Sequence, residues 1–191
     1  MFTKCRQNGI SLIELIMFIV IVSVGIAGIL SVMNVTTQAS ADTLLRKQAL
    51  AFAESMLEEI ELQPFTFCDP DDPLAAAAQG ATVDAPGPPG CTSAATIQGV
   101  APQAGESRYA APLFDNVGDY NGFAMTGIRD IGNVPIAGLG AYSASVAITQ
   151  AGAAFALPAA AVLQIDVRVV SGNTDITFTG YRFRYAPTAL P

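Results

Sequence analysis

The groups with which this chain could do chemistry are few. Its 191 residues hold 16 acids, 9 bases, 3 cysteines and no histidine. Without histidine there is no Ser-His triad and no Cys-His dyad, and most zinc sites are excluded. Beyond residue 9 the only lysine is Lys47, and its surroundings read as helix, which speaks against a Ser-Lys dyad. Asp69, Asp71 and Asp72 crowd one short stretch. They lack the glycine and the terminal glutamate of a calcium loop, so an acidic turn is the better reading. Asp115 and Asp119 lie in the run from Phe114 to Phe123 with nothing beside them that supports catalysis. A structured loop that docks Phe114, Tyr120 and Phe123 on the core accounts for that run better. We expect no catalytic residue, no metal and no cofactor.

Two chemical features remain. Cys5 precedes the apolar run in a short polar leader, which leaves Cys68 and Cys91 as an even pair. Such a pair suits a disulfide in an oxidising compartment. The second feature is Glu14. It sits inside residues 10–33, ISLIELIMFIVIVSVGIAGILSVM, 24 residues of which it is the only charged one. A carboxylate at a bilayer centre costs about 2.5–3.5 kcal/mol on insertion scales. Near one end of the run the cost is smaller, but the acid still invites a cation from a neighbouring chain. The plainer reading is a tolerated acid at the membrane interface.

These residues must be positioned by a long N-terminal element. About 20 apolar residues span a bilayer core. Lys4 and Arg6 precede the run and place the N-terminus on the cytoplasmic side by the positive-inside rule. An ordinary secretory signal peptide is the alternative, but the run exceeds a signal core and no A-x-A site follows. From Ile10 to Gln63 there is no proline. After Met33 the pattern turns amphipathic: Leu45, Ala49, Phe52, Met56 and Ile60 recur at spacings of three and four, widened by Ala53 and Leu57. Arg46, Lys47, Glu54, Glu58, Glu59 and Glu61 take the other faces, and Pro64 ends the pattern. A helix of about 50 residues would run roughly 75 Å. Its first half belongs in lipid or among like helices, and its second half on a sheet. Gly25, Ala27, Gly28 and Ser31 offer small faces for close helix packing, or local flexibility.

Residues 64–112 are rich in Pro, Gly and Ala and read as a long exposed connection. Residues 113–191 read as β. Tyr142, Ala144, Val146 and Ile148 alternate with small or polar residues, as do Leu163, Ile165, Val167 and Val169. Ser171-Gly172-Asn173-Thr174 is a hairpin signal. Ile176 and Phe178 continue the apolar face, whereas Tyr181, Phe183 and Tyr185 have the opposite parity, so a bulge near Thr179-Gly180 is expected. The fold class is α+β: a long helix on an antiparallel meander of at least three strands. The net charge is −7, and without Lys4 and Arg6 the balance is 7 bases against 16 acids, or −9. That excludes a basic footprint for nucleic acid. The acidity suits the solubility of an exposed domain.

Gly9-Ile10-Ser11-Leu12-Ile13-Glu14 followed by the apolar run resembles the class III signal of type IV pilins and type II secretion pseudopilins. The resemblance implies a pilin-like fold and a prepilin peptidase that cuts between Gly9 and Ile10 and methylates the new amine of Ile10. It divides the chain into a leader (1–9), a transmembrane and assembly half of the helix (10–33), an amphipathic half (34–63), a loop (64–112) and a β-sheet head (113–191). Glu14 then holds the fifth mature position and would meet the N-terminal amine of an adjacent subunit. Two positions depart from the pattern: Ile10 replaces the usual Phe, and Ser31 stands where many pilins carry a kinking Pro. Further patches, Arg46–Leu50, Glu58–Ile60, Gln63–Asp72 and Phe114–Phe123, are similar to minor pilins of the mannose-sensitive haemagglutinin (MSHA) type IV pilus. Implied partners are prepilin peptidase, other pilin subunits met through the N-terminal helix, the inner-membrane assembly platform and membrane lipid. The implied placement is a single inner-membrane pass with a periplasmic C-terminal domain, then an extracellular pilus. A minor type II pseudopilin shares every feature of the stem. A tethered periplasmic enzyme would need a polar cluster, and a binding module freed by signal peptidase would need a cleavage site past the run.

Overall fold

The computed structural model describes Gly9 and residues 11–185, with the backbone alone at 35 and 37–42. One long helix, α1 (Leu12–Glu61), is followed by four strands: β1 (Ala124–Thr126), β2 (Ser143–Gln150), β3 (Val162–Ser171) and β4 (Thr174–Phe183). The chain divides into two compact units between Leu44 and Leu45.

In the first unit, Leu12–Asn34 has a mean hydropathy of 2.8 and none of it is buried within the chain. The segment is long and apolar enough to cross a membrane. Within it Ser23 donates to the Ile19 carbonyl at 2.7 Å, and Thr36 just beyond donates to Val32 at 2.9 Å. Apolar surroundings demand such internal bonding.

In the second unit, the expected stripe is the face that α1 buries. Ala49, Ala53, Met56, Leu57 and Ile60 share one core with Val146, Ile148, Ile165, Val167 and Val169 of the sheet. The sheet runs β1-β2-β3-β4, with every pair antiparallel. Strict alternation on β2 and β3 sends one face inward, with Val146 opposite Val167 and Ile148 opposite Ile165. Gly172, at φ 55°, takes the first turn position of the β3–β4 hairpin, where glycine meets no steric penalty. β1 has only three residues and left no periodic signal. After Ile60 the helix frays into Gln63 N–H donating to the Ile60 carbonyl at 3.1 Å. No base lies in its last turn. Arg182 of β4 instead donates to the Gln63 carbonyl at 3.3 Å and supplies the cation that a helix C-terminus favours.

The bulge expected near Thr179-Gly180 does not form. The β3–β4 register is unbroken from Ser171 opposite Thr174 to Val162 opposite Phe183. Tyr181 and Phe183 therefore point away from the core, where both pack edge-on against Phe155 with ring centroids 5.4 and 5.1 Å apart. The reason lies at Gly180. A Cβ there would come within 2.8 and 2.9 Å of the two Leu57 methyls, and against Glu61 Oε1 as well. The helix approaches the strand too closely for a side chain, so no aromatic has room on that face.

The connection at 64–112 is also less exposed than expected. Cys68 and Cys91 are joined in a disulfide. Both are fully buried and form a second small core with Ala75 and Ala78, covered by Phe67 and Ile97. Having no strand to lie on, the loop buries its few apolar groups on one another. Backbone bonds replace a ladder: Asp69 N–H to Thr96 at 2.9 Å, Gln98 N–H to Phe67 at 3.0 Å, Asp84 N–H to Cys91 at 2.8 Å. Removing the bridge with Cys68→Ala and Cys91→Ala is expected to lower stability by about 3 kcal/mol, the chain-entropy value for a ring of this size. Urea unfolding of the full chain in detergent measures it. An unchanged midpoint would mean that the bridge does not constrain the unfolded chain.

Candidate functional site

The N-terminal candidate is built by the start of α1. Gly9 lies outside any element and is exposed, Ile10 lies outside the described residues, and the helix begins at Leu12. Glu14 falls in its first turn, where the helix dipole favours an acid. Among the described residues no base lies within ion-pair distance of Glu14. Further along, a Cβ built on Gly25 or Gly28 meets nothing within 4 Å. These glycines open a shallow groove of about 410 Å³ with Val24, Ile29 and Val32 along its walls. Small residues on an apolar helix let a second backbone come close.

The second unit carries a buried ion pair. Arg108 is 4% exposed and forks onto Glu59 of α1, with Nε to Oε1 and Nη2 to Oε2 both at 2.7 Å. Burial alone would lower the Arg108 pKa, but the Glu59 carboxylate outweighs it and holds the guanidinium above its ordinary value. Tyr120 donates its hydroxyl to Glu59 Oε1 at 2.9 Å, and burial beside that carboxylate pushes the phenol well above its usual range. The groove over this pair, about 520 Å³ between Glu58, Leu62, Leu113 and Ile131, has a floor whose polar groups are committed to one another.

The acidic turn expected at residues 69–72 forms: Asp72 N–H donates to the Asp69 carbonyl at 2.9 Å and Asp71 N–H to Asp69 Oδ1 at 2.8 Å. Asp72 does turn the chain: Leu74 N–H at 2.7 Å, Thr92 N–H at 2.9 Å and the Thr92 hydroxyl at 2.7 Å all donate to it. Its burial raises the pKa, but the Thr96 hydroxyl together with these bonds outweighs that and brings it down to about 2. Asp69 instead meets Glu106 and Asp115, and each of the three offers a carboxylate oxygen within 4.8 Å of the others. Asp119 lies beside them, fully buried, and accepts from Gln98 Nε2 at 2.6 Å, Asn116 N–H at 2.7 Å and Asp115 N–H at 3.2 Å. Burial first, and mutual repulsion second, push Glu106 and Asp115 up to about 7. Burial pushes Asp119 to about 6 and also raises Asp69. Nothing in the spacing of residues 69, 106 and 115 announces this meeting, which only the folded loop creates.

A long apolar N-terminal helix with an acid in its first turn, followed by a four-stranded antiparallel sheet, is an α+β pilin-like arrangement. Residues 4–30 match the family model of the prokaryotic N-terminal methylation motif, which spans Gly9, Ile10 and Glu14. That match supports a type IV pilin or pseudopilin, a prepilin peptidase substrate, and points to a structural subunit rather than an enzyme. No curated protein and no solved structure matches the chain.

Proposed function

We propose that this chain is a minor pilin-like subunit of an MSHA-type IV pilus, comparable in role to the minor pilin MshD, that enters or primes the filament and contributes to adhesion. The observation that carries this reading is the methylation motif at residues 4–30, set at the head of an exposed apolar helix whose Glu14 has no partner among the described residues. Three of the four patches similar to MSHA minor pilins, distant in sequence, meet in the fold. Tyr120 bonds Glu59, Asn116 Nδ2 donates to Thr66 Oγ1 at 2.7 Å, and Val117 N–H donates to the Pro64 carbonyl at 3.1 Å.

The mechanism is assembly. Prepilin peptidase cuts between Gly9 and Ile10 and methylates the amine of Ile10. The helix holds the subunit in the inner membrane with its head in the periplasm until the assembly platform moves it into the filament. Glu14 then pairs with the amine of a neighbouring subunit. In a low-dielectric bundle this attraction compensates for stripping water from both charges, and it fixes the axial register of the helices. A minor pseudopilin of a type II secretion system would use the same stem. Deleting the gene separates the two: lost pili and adhesion support the pilus, lost exoprotein secretion with intact pili the pseudopilus.

N-terminal sequencing of the mature protein tests the processing route. A start at Ile10 with a methylated amine is expected. A start beyond residue 30, or an uncut Met1, overturns the reading.

A further inference from the structure

We propose that Arg184, with Arg182 beside it, is a binding site for the carboxylate group of an external ligand. This goes beyond the assembly role and does not depend on it.

The two arginines stand at the end of the sheet's edge strand. Arg182 belongs to β4, and Arg184 follows it with its N–H still donating to the Ala161 carbonyl at 2.9 Å. Two residues apart on an extended chain, they leave it on the same side, about 6.6 Å from one another. That side meets the end of α1, where Arg182 Nη2 reaches the Gln63 carbonyl at 3.3 Å. Both arginines are half-buried. A guanidinium taken out of water needs a counter-charge, and neither has one. Among the described residues the ion pairs are Arg108–Glu59 and Arg168–Asp175. Glu61 comes against Gly180 on the same side, but it pairs with neither arginine. Nε of Arg182 and Nε of Arg184 are both shut off from solvent and donate to nothing.

Arg184 is the less committed of the two. Its guanidinium lies over the rings of Phe65 and Phe67, 4.0 and 4.6 Å from their centroids. Such stacking covers the face of the cation and fixes its plane. Burial lowers its pKa to about 10 with no acid to offset the loss, so it stays charged at neutral pH. With the face stacked and Nε enclosed, the terminal NH2 groups are the part left to bind. They present two parallel donors in one plane, the fork that takes both oxygens of a carboxylate. Arg108 shows the completed form within the same chain. It too lies over two rings, Tyr109 and Phe123, and it holds the Glu59 carboxylate in a fork. Arg184 has the rings and lacks the acid. Arg182 adds a second positive charge, and its guanidinium lies over Tyr185, which is 78% exposed. Aromatic surface beside the fork suits a carboxylate on an organic body better than a heavily hydrated inorganic anion. Two sources have that chemistry: an acidic side chain of another protein chain, and a small organic acid.

The test is a titration of the full chain in detergent micelles at constant ionic strength, followed by nuclear magnetic resonance of the arginine Nε–H groups. Propionate, the side chain of glutamate as a free acid, should move the Arg184 signal and half-saturate at about 1–10 mM. It should also raise the melting temperature. Chloride and inorganic phosphate should do neither to the same extent. The peptide acetyl-Leu-Glu-Leu-amide separates the sources. Half-saturation at about a tenth of the propionate value assigns the site to an acidic residue of another chain, and an equal value assigns it to a small organic acid. Arg184→Gln should abolish the rise in melting temperature. Arg184→Lys should need about tenfold more propionate, because an ammonium offers no parallel pair of donors. Arg168→Gln, at the exposed ion pair, should respond as wild type does. The wild-type titration decides even if Arg184→Gln fails to fold: no movement of the Arg184 signal at about 100 mM propionate overturns the proposal. An equal response to chloride or phosphate overturns it too, as does a full rise in melting temperature in Arg184→Gln.

Discussion

Arg108→Ala is expected to destabilise the second unit by about 3 kcal/mol, at the lower end of what breaking a buried ion pair costs. The low end applies because Glu59 keeps 24% of its side chain in contact with solvent, against 4% for Arg108. The substitution leaves Glu59 with the Tyr120 hydroxyl alone, and it strips Nη1 from the carbonyls of Arg129 and Asp130 at 3.5 and 3.3 Å. It also removes a guanidinium lying over the rings of Tyr109 and Phe123, at 5.1 and 5.6 Å from their centroids. Arg108→Lys restores the charge but not the two parallel bonds, and should fall between alanine and wild type. The comparison is Arg168→Ala, whose partner Asp175 is equally exposed on β4. That variant should unfold at the same urea concentration as wild type, because solvent already satisfies both charges. If the two alanine variants behave alike, the Glu59–Arg108 pair does not anchor the helix to the loops.

Glu14→Val is expected to leave membrane insertion intact and to remove the subunit from filaments. Valine in place of a carboxylate makes the apolar segment easier to insert. On the assembly reading, it also leaves a neighbouring amine buried without its counter-charge, a cost of about 3–5 kcal/mol. At 1.4 kcal/mol per tenfold, incorporation falls by about a hundredfold or more. Immunoblots of sheared filaments and of washed membranes measure the two quantities separately. Wild-type levels of Glu14→Val in filaments would refute the pairing role.

The two variants probe features that were unequally visible in the amino-acid order. Glu14 and its apolar run are local, so a window of 20 residues contains all that defines them. The Leu45–Ile60 stripe and the alternation on β2 and β3 are periodic, and both fell where the pattern put them. The Cys68–Cys91 pair was visible by counting. Three-residue β1 has too few repeats to show a period. The outward turn of Tyr181 and Phe183 follows from how closely Leu57 approaches Gly180, a distance set by packing between residues more than a hundred positions apart. Arg108 carried no sign of its burial, because its partner lies 49 residues away. The acids at 69, 106 and 115 were hidden for the same reason: repulsion among them is visible only once the loop has closed.

The closed loop has a practical consequence. Ala85, Pro86, Gly87 and Pro88 are all exposed, and they lie inside the ring that Cys68 and Cys91 seal with a core of its own. Lengthening a loop whose ends are already tied costs only the slow logarithmic growth of closure entropy, about 0.6 kcal/mol per doubling. The stretch is thus a natural port for a short epitope or a fluorophore-binding tag. A label placed there would leave the sheet, the helix stripe and the N-terminal motif untouched, and on the assembly reading it would let a single subunit be followed from membrane to filament by microscopy.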